Sequence, residues 1–97
     1  MSNGLPSELK LKVITSQQLL VDENVAEVSL PGLDGCLGIL PGHRELLVAL
    51  GIGEIVYTKG QGEKTFGVQG GYAKINPGSV SVYTELSDNA THLTDKG

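Results

Sequence analysis

Apolar and polar residues alternate along several short stretches of the chain, and a period of two is typical of half-buried β-strands. The clearest stretch is 8–13, where Leu9, Leu11 and Val13 alternate with charged residues. The same alternation recurs, with varying clarity, in the stretches 26–30, 54–58, 65–70 and 80–84. Each stretch predicts a strand with one face toward a core and the other toward solvent.

Turn-forming residues separate these stretches. Pro31-Gly32, Asp34-Gly35 and Pro41-Gly42 follow the second stretch, and glycine or proline also interrupts the chain at 60–62 and 76–78. Proline presets the φ angle of a turn, and glycine, asparagine and aspartate tolerate positive φ. Short strands separated in this way indicate a β-sandwich or a β-barrel. The stretch 45–50 is the one place where a helical turn is conceivable, and it is short and rich in strand-forming residues.

Composition places the chain among small globular domains and excludes several functions. Its 97 residues are enough for one domain with a modest core. Seven basic and eleven acidic residues give a net charge of −4, which argues against binding to nucleic acid or to an anionic lipid surface. The single cysteine excludes an internal disulfide framework and a cysteine-rich zinc site.

The stretch 59–65 shares residue types with a phosphate-binding P-loop but lacks its order. A P-loop needs glycine directly before its lysine and a helix after it, because backbone N–H groups at the helix start hold the phosphates. Here Glu63 precedes Lys64, and a strand-like pattern follows. The stretch therefore predicts a hairpin turn.

No group of residues predicts catalysis or metal binding. His43 and His92 are the two histidines, and neither has a partner pattern that would complete a metal site. A catalytic Cys36 would need a base. His43 could reach it, but no third residue would orient that histidine, and the nearby Asp34 opposes thiolate formation. We therefore expect no catalytic residue, no metal and no cofactor. The residue patterns alone predict a small intracellular β-sandwich or barrel that binds other proteins.

The segment 28–43, VSLPGLDGCLGILPGH, is more specific than its composition. It closely resembles the signature of the epsilon subunit of F-type ATP synthases. A second segment, VQGGYAKI at 68–75 followed by VSV at 80–82, matches the same family in the correct order and spacing. The resemblance covers about residues 8–85. Two long motifs in register make a chance similarity improbable.

The resemblance implies a fold, a function and partners. The fold is an all-β, antiparallel β-sandwich of about ten short strands. The implied function is that of a non-catalytic rotor subunit, which clamps the gamma subunit to the membrane c-ring and couples proton flow to ATP synthesis. No nucleic acid is expected as a partner, and membrane association is expected only through the complex. The alternative is a free-standing β-sandwich adaptor that binds another protein.

The resemblance also assigns two sets of contact residues. The set expected to face the c-ring is Leu33, Asp34, Gly35, Cys36, Leu37, Pro41 and Gly42. The set expected to face the gamma subunit is Thr15, His43, Val48, Gln69 and Gly70. Cys36 departs from the family pattern, which usually has a polar and often acidic residue there. Arg44-Glu45 also departs from it.

The C-terminal residues depart furthest from the family. Typical members continue into an α-helical hairpin, whereas residues 86–97 have no helical pattern. We therefore predict a β-sandwich domain at 1–86, a polar and flexible tail at 87–97, no hairpin-mediated inhibition and no nucleotide site. Residues 1–6 lack the basic cluster and apolar run of an export signal. The predicted location is the cytoplasmic face of a bacterial inner membrane, as a peripheral protein.

Overall fold

The computed structural model describes residues 7–85, which form nine β-strands arranged in two sheets. In chain order the strands are β1 (Leu9–Ile14), β2 (Leu19–Val25), β3 (Glu27–Gly32), β4 (Gly35–Ile39), β5 (Leu46–Ala49), β6 (Ile52–Lys59), β7 (Gly62–Gln69), β8 (Tyr72–Asn76) and β9 (Ser79–Tyr83). Sheet A has the order β2-β1-β9-β8-β5, and sheet B has the order β4-β3-β6-β7.

The two sheets bury their facing side chains in one core. On β1, Leu9, Leu11 and Val13 are fully buried, while the lysines between them are exposed. Other fully buried side chains come from both sheets: Val25, Leu30, Ile39, Ile55, Val68, Ile75, Val80 and Val82. The prediction of an all-β sandwich is therefore confirmed, with nine strands in the described part of the chain.

One strand pair differs from the antiparallel arrangement that was expected. β1 and β9 run parallel, with Leu11 opposite Val80 and Val13 opposite Val82. Parallel neighbours need a long connection, and here most of the chain lies between them. All other strand pairs are antiparallel. The pairing joins the two ends of the described chain at the centre of sheet A.

Two tight hairpins explain the turn residues that the sequence contains. β6 and β7 are joined by Gly60 and Gln61, and Gly60 has a φ of 62°, which a glycine adopts without strain. This confirms the predicted hairpin turn at 59–65. Leu33 and Asp34 join β3 to β4, and the positive φ at that turn, 129°, falls on the following Gly35.

Two local expectations have opposite outcomes. The stretch 45–50 contains β5, which pairs with β8, as its strand-forming residues indicated. Ala26, expected on the buried face of a strand, is exposed at the bend between β2 and β3, because the inward face of β3 begins at Val28. The predicted tail at 87–97, with His92, lies outside the described residues. Residues 7–85 contain no helix long and apolar enough to cross a membrane.

Candidate interaction surfaces

Backbone hydrogen bonds fix the β3–β4 hairpin against β5. The N–H of Leu33 donates to the carbonyl oxygen of Ala49 at 3.0 Å, and the N–H of Gly51 donates to that of Pro31 at 2.8 Å. These bonds hold the Leu33-Asp34 turn in place, although the Leu33 side chain is 69% exposed. An apolar side chain on a fixed, exposed turn is well suited to contact another protein.

A groove of about 460 Å³ lies between this hairpin and β5. Its lining consists of Gly32 to Leu37 on one side and Leu46 to Ala49 on the other. Five residues of the expected c-ring set, Leu33 to Leu37, therefore line one wall, and Val48 of the expected gamma set lies on the opposite wall. Val48 points inward and packs against the core, so its side chain is only half-exposed. We call this feature the hairpin groove.

A second groove, of about 360 Å³, contains two stacked tyrosines. Tyr72 on β8 and Tyr83 on β9 occupy directly paired positions, and their ring centroids are 5.0 Å apart with an interplanar angle of 26°. Because their strand neighbours Ala73 and Val82 point into the core, both rings lie on the outer face of sheet A. We call this feature the tyrosine groove, lined by Ile14, Thr15, Ser16, Gln69, Gly71, Tyr72, Tyr83, Thr84 and Glu85.

Three residues of the expected gamma set meet at the tyrosine groove. Thr15 and Gln69 line it, and the hydroxyl of Thr84 in its wall donates to the carbonyl oxygen of Gly70. Thr15 also shapes its own turn, because its Oγ1 accepts the N–H groups of Gln17 and Gln18 at 3.2 Å each. The structure thus brings these three residues together, and it gives Thr15 a structural role as well.

A third groove connects the two. Leu46 and Leu47 line both this groove and the hairpin groove, and Tyr72 and Tyr83 line both this groove and the tyrosine groove. Five of the eight exposed large apolar side chains in residues 7–85 therefore form one continuous surface. We call it the apolar band: Leu33, Leu46, Leu47, Tyr72 and Tyr83. The connecting groove is also lined by Glu45, Lys74 and Asn76. An apolar surface bordered by polar side chains is a candidate protein interaction site.

The remaining predicted residues lie elsewhere. Pro41, Gly42 and His43 follow β4, and the N–H of Gly42 donates to the carbonyl oxygen of Pro77, at the C-terminal end of β8. Gly70 lies just before the other end of β8, a strand whose five residues span about 17 Å at ~3.4 Å per residue. Neither predicted contact set therefore forms one compact patch, since each has members at both ends of the sandwich.

The loop at His43 is held by local bonds. The His43 N–H donates to the carbonyl oxygen of Leu40 at 3.2 Å, and its Nδ1 lies 2.8 Å from the carbonyl oxygen of Arg44. The ring is half-buried. This geometry suits a packed contact residue, and no other side chain of residues 7–85 is hydrogen-bonded to the imidazole.

The titratable groups with altered pKa values line none of the three grooves. A hydrogen bond from Lys59 on β6 lowers the pKa of Glu23 on β2, and the same bond raises the pKa of Lys59. Burial raises the pKa of Tyr57. No group of three or more histidine, cysteine or acidic residues within 7–85 is arranged to hold a metal ion.

Sequence reasoning missed four of the five residues of the apolar band, all except Leu33. Tyr72 and Tyr83 occupy outward positions in strands whose inward positions are apolar. Large aromatic residues on the outward face were the feature of the sequence that indicated an exposed contact surface. Leu46 and Leu47 are adjacent, so one of them had to face outward if 46–49 formed a strand. Glu85 gave no local signal, because its position in the groove depends on the pairing of distant strands.

A family comparison connects these surfaces to known proteins. Residues 8–90 match the model of the family described as ATP synthase, Delta/Epsilon chain, beta-sandwich domain. The chain belongs to this family. The resemblance seen in the two sequence motifs is therefore confirmed, and the match includes every residue of the hairpin groove, the tyrosine groove and the apolar band.

Curated relatives agree with the family match. The chain is 37% identical over 89 residues to the ATP synthase epsilon chain of Solibacter usitatus, covering 92% of this chain and 66% of the relative. It is 34% identical over 89 residues to the ATP synthase epsilon chain of Lawsonia intracellularis, covering 92% and 67%. The chain thus spans about two thirds of the length of these relatives.

Solved structures share the sandwich fold. A chain in the cryo-EM structure of the Euglena gracilis mitochondrial ATP synthase, OSCP/F1/c-ring, matches with a TM-score of 0.79 at 24% identity, covering 87% of this chain and 54% of that one. A chain in the Tetrahymena thermophila mitochondrial ATP synthase central stalk/c-ring structure matches with a TM-score of 0.66 at 13% identity, covering 79% and 63%. At these identities the matches support the fold.

Proposed function

We propose that this chain is the β-sandwich part of a rotor subunit in a proton-translocating F-type ATP synthase. It clamps the gamma subunit to the c-ring, and it couples proton flow to ATP synthesis without catalysing a reaction. The observation that carries this proposal is the family match over residues 8–90, together with relatives named ATP synthase epsilon chain. Its site of action is the cytoplasmic face of a bacterial inner membrane, reached only through the complex.

The apolar band supports the protein-binding part of this function independently of the family. Stable protein–protein interfaces bury about 800 Å² per partner and have apolar, aromatic centres. The band supplies two leucines of β5 and the stacked Tyr72–Tyr83 pair on one continuous surface. Two packed sheets with tight hairpins deform little, as a component that transmits torque requires. No ligand-sized catalytic cleft is needed for such a role.

We assign the two contact regions as follows. The gamma subunit contacts this chain at the tyrosine groove, through Thr15, Gln69 and Gly70. The contact extends along the apolar band toward Val48. The c-ring contacts the exposed β3–β4 hairpin, where Leu33 to Leu37 present backbone and short side chains. His43 for the gamma subunit, and Pro41 with Gly42 for the c-ring, form separate contacts at the other end of the sandwich. The division between a domain at 1–86 and a tail at 87–97 is retained as part of the proposal.

Calorimetric titration of the chain into a folded gamma subunit from the same organism tests the proposal. Leu47→Asp places a charge on a side chain that is 67% exposed in the apolar band, and we expect binding at least about tenfold weaker because the charge loses water at the interface. Ile52→Asp is the matched control, since Ile52 is 82% exposed and lines none of the three grooves that form the band. Its affinity should stay within about threefold of the unmodified chain.

A second measurement tests the clamp itself. Gamma subunit and c-ring in lipid nanodiscs are passed together over a size-exclusion column, with and without the chain. The rotor function is supported if the gamma subunit elutes together with the c-ring only when the chain is present. Absence of binding to folded gamma subunit contradicts it, and the free-standing adaptor then becomes the better explanation of the apolar band.

A further inference from the structure

Among the described residues that line the tyrosine groove, Glu85 is the one with a charged side chain. The other described residues that line it are apolar or uncharged, and none of them is basic. Paired residues of neighbouring strands form a row across sheet A at this groove. Leu19 lies opposite Ile14, Ile14 lies opposite Tyr83, and Tyr83 lies opposite Tyr72. One acidic group beside exposed aromatic and aliphatic surface is an electrostatically selective arrangement.

Among residues 7–85, one oxygen of the Glu85 carboxylate accepts a hydrogen bond and the other has no partner. Its Oε2 accepts the N–H of Ser16 at 3.1 Å, and the Glu85 backbone carbonyl accepts the N–H of Gln69 at 2.8 Å. Its Oε1 makes no hydrogen bond or ion pair with another residue of the described range 7–85. A fixed acceptor with an open oxygen can receive a charged donor from a partner at little cost in side-chain entropy.

The aromatic rings lie beside this carboxylate. Tyr72 and Tyr83 line the same groove as Glu85, and both rings are partly exposed although they stack on each other. Tyrosine faces attract cations, and a planar guanidinium both stacks on such a ring and donates two parallel N–H bonds to a carboxylate. A lysine ammonium can pair with the carboxylate, but it lacks the planar fork that matches both features.

We infer that the tyrosine groove receives an arginine side chain of the gamma subunit, whose guanidinium stacks on the tyrosine pair and bonds Glu85. This inference rests on the proposed rotor function, because it names the chemistry of the gamma contact. It makes Glu85 and the two tyrosines the specificity-determining residues of a groove whose other described lining residues are uncharged. The net charge of −4 also favours approach of a basic partner segment.

Calorimetric titration with the gamma subunit, using Glu85→Gln, tests the inference. Glutamine keeps an oxygen that accepts the Ser16 N–H, so the turn is preserved while the charge is lost. We expect binding about tenfold weaker, and a weaker dependence on salt, because a charge-assisted pair is removed. Glu63→Gln on β7 is the control: it removes the same charge at an exposed site outside the groove, and its affinity should stay within about twofold.

The partner residue is identified by modifying the gamma subunit. Treatment with phenylglyoxal blocks arginine, and acetylation blocks lysine. Blocking arginine should abolish the affinity difference between the unmodified chain and the Glu85→Gln variant, and acetylation should leave that difference intact. If acetylation alone removes the difference, the assignment of arginine is wrong.

Two further results would overturn the inference in distinguishable ways. Equal affinities of the Glu85→Gln and Glu63→Gln variants would remove Glu85 from the interface and leave the rotor function standing. Failure of the unmodified chain to bind folded gamma subunit would overturn the rotor function and the arginine contact together.

Discussion

Tyr72 and Tyr83 stack on each other next to a close backbone contact between Gly71 and the segment of Tyr83 and Thr84. Gly71 precedes Tyr72 with a φ of 103°, and a Cβ atom built on it would overlap the carbonyl oxygen of Tyr83. The same Cβ would lie 2.9 Å from the Cα of Thr84. Because backbone atoms cannot move aside as a flexible side chain can, this contact fixes the start of β8 against the end of β9. The geometry of the tyrosine groove therefore depends on a glycine.

Gly71→Ala should lower the free energy of unfolding by about 2–4 kcal/mol, since it adds both a steric overlap and an unfavourable positive φ. Urea denaturation followed by circular dichroism measures this change. Gly38→Ala on β4 is the control, because its added Cβ meets no atom within 4 Å and its φ is not positive. It should shift the free energy by less than about 0.5 kcal/mol. Equal effects of the two substitutions would contradict the close backbone contact.

Two isoleucines of β6 should differ sharply in their contribution to stability. Ile55 is fully buried between the sheets, whereas Ile52 is 82% exposed. Ile55→Ala removes buried methyl groups and leaves a cavity, so we expect a loss of about 2–5 kcal/mol in the free energy of unfolding. Ile52→Ala should change it by less than about 0.5 kcal/mol. Chemical denaturation of both variants checks the facing of β6, and a large loss for Ile52→Ala would show that this facing is wrong.

The sequence predicts the fold class because the local pattern determines the buried face of each strand. Leu9, Leu11 and Val13 were expected on one buried face, and they are fully buried. The parallel β1–β9 pair could not be predicted in the same way, since no local pattern records which distant strand becomes a neighbour. β2 was missed because its residues LLVDENV carry two acids and an asparagine and bury only Val25 completely.

The interaction surface was less predictable than the fold. The family motifs led to Thr15 and Gln69, which line the tyrosine groove, and to Gly70, whose carbonyl oxygen accepts a hydrogen bond from Thr84 in the groove wall. They also led to His43, which lies at the opposite end of the sandwich. A sequence match does not show how far apart two loops lie in the folded chain. The tyrosines and Glu85 join one groove only through the registers of β1, β8 and β9, so sequence alone had no means of bringing them together.

A surface ion pair between the sheets should make stability depend on pH. Lys59 Nζ on β6 lies 2.9 Å from Glu23 Oε1 on β2. The bond lowers the pKa of Glu23 below its ordinary value of 4.5 and raises that of Lys59 above 10.5. The contribution from Glu23 is therefore present above pH 4.5 and is lost as pH falls through the lowered pKa. The contribution from Lys59 is present below pH 10.5 and is lost as pH rises through the raised pKa.

Glu23→Gln tests this dependence by urea denaturation at several pH values. The variant should unfold at a lower urea concentration than the unmodified chain at pH 7, and the two midpoints should converge below the lowered pKa of Glu23. Added salt should reduce the difference, because both groups are solvent-accessible. Glu27→Gln is the control, since Glu27 makes no ion pair within residues 7–85. A difference that persists in strong acid would contradict the role of the pair.

Cys36 provides a natural probe of the proposed c-ring contact. It is the single cysteine of the chain, lies on β4 in the wall of the hairpin groove, and is exposed. A maleimide should therefore label the free chain at a rate close to that of an unhindered thiol. If the β3–β4 hairpin meets the c-ring, saturating c-ring in nanodiscs should slow the labelling by at least about tenfold, because the interface excludes the reagent.

A second cysteine position separates local protection from a general effect of the nanodisc. In the Cys36→Ser/Thr65→Cys variant the thiol lies on β7, at the opposite edge of sheet B, and its labelling rate should be unchanged by the ring. Protection of Cys36 alone supports the hairpin contact. An unchanged rate at Cys36, with the chain demonstrably bound to the ring, would remove the β3–β4 hairpin from that interface. The contact would then be sought at the Pro41-Gly42 turn, because the resemblance to epsilon subunits includes that turn and the structure separates it from the hairpin.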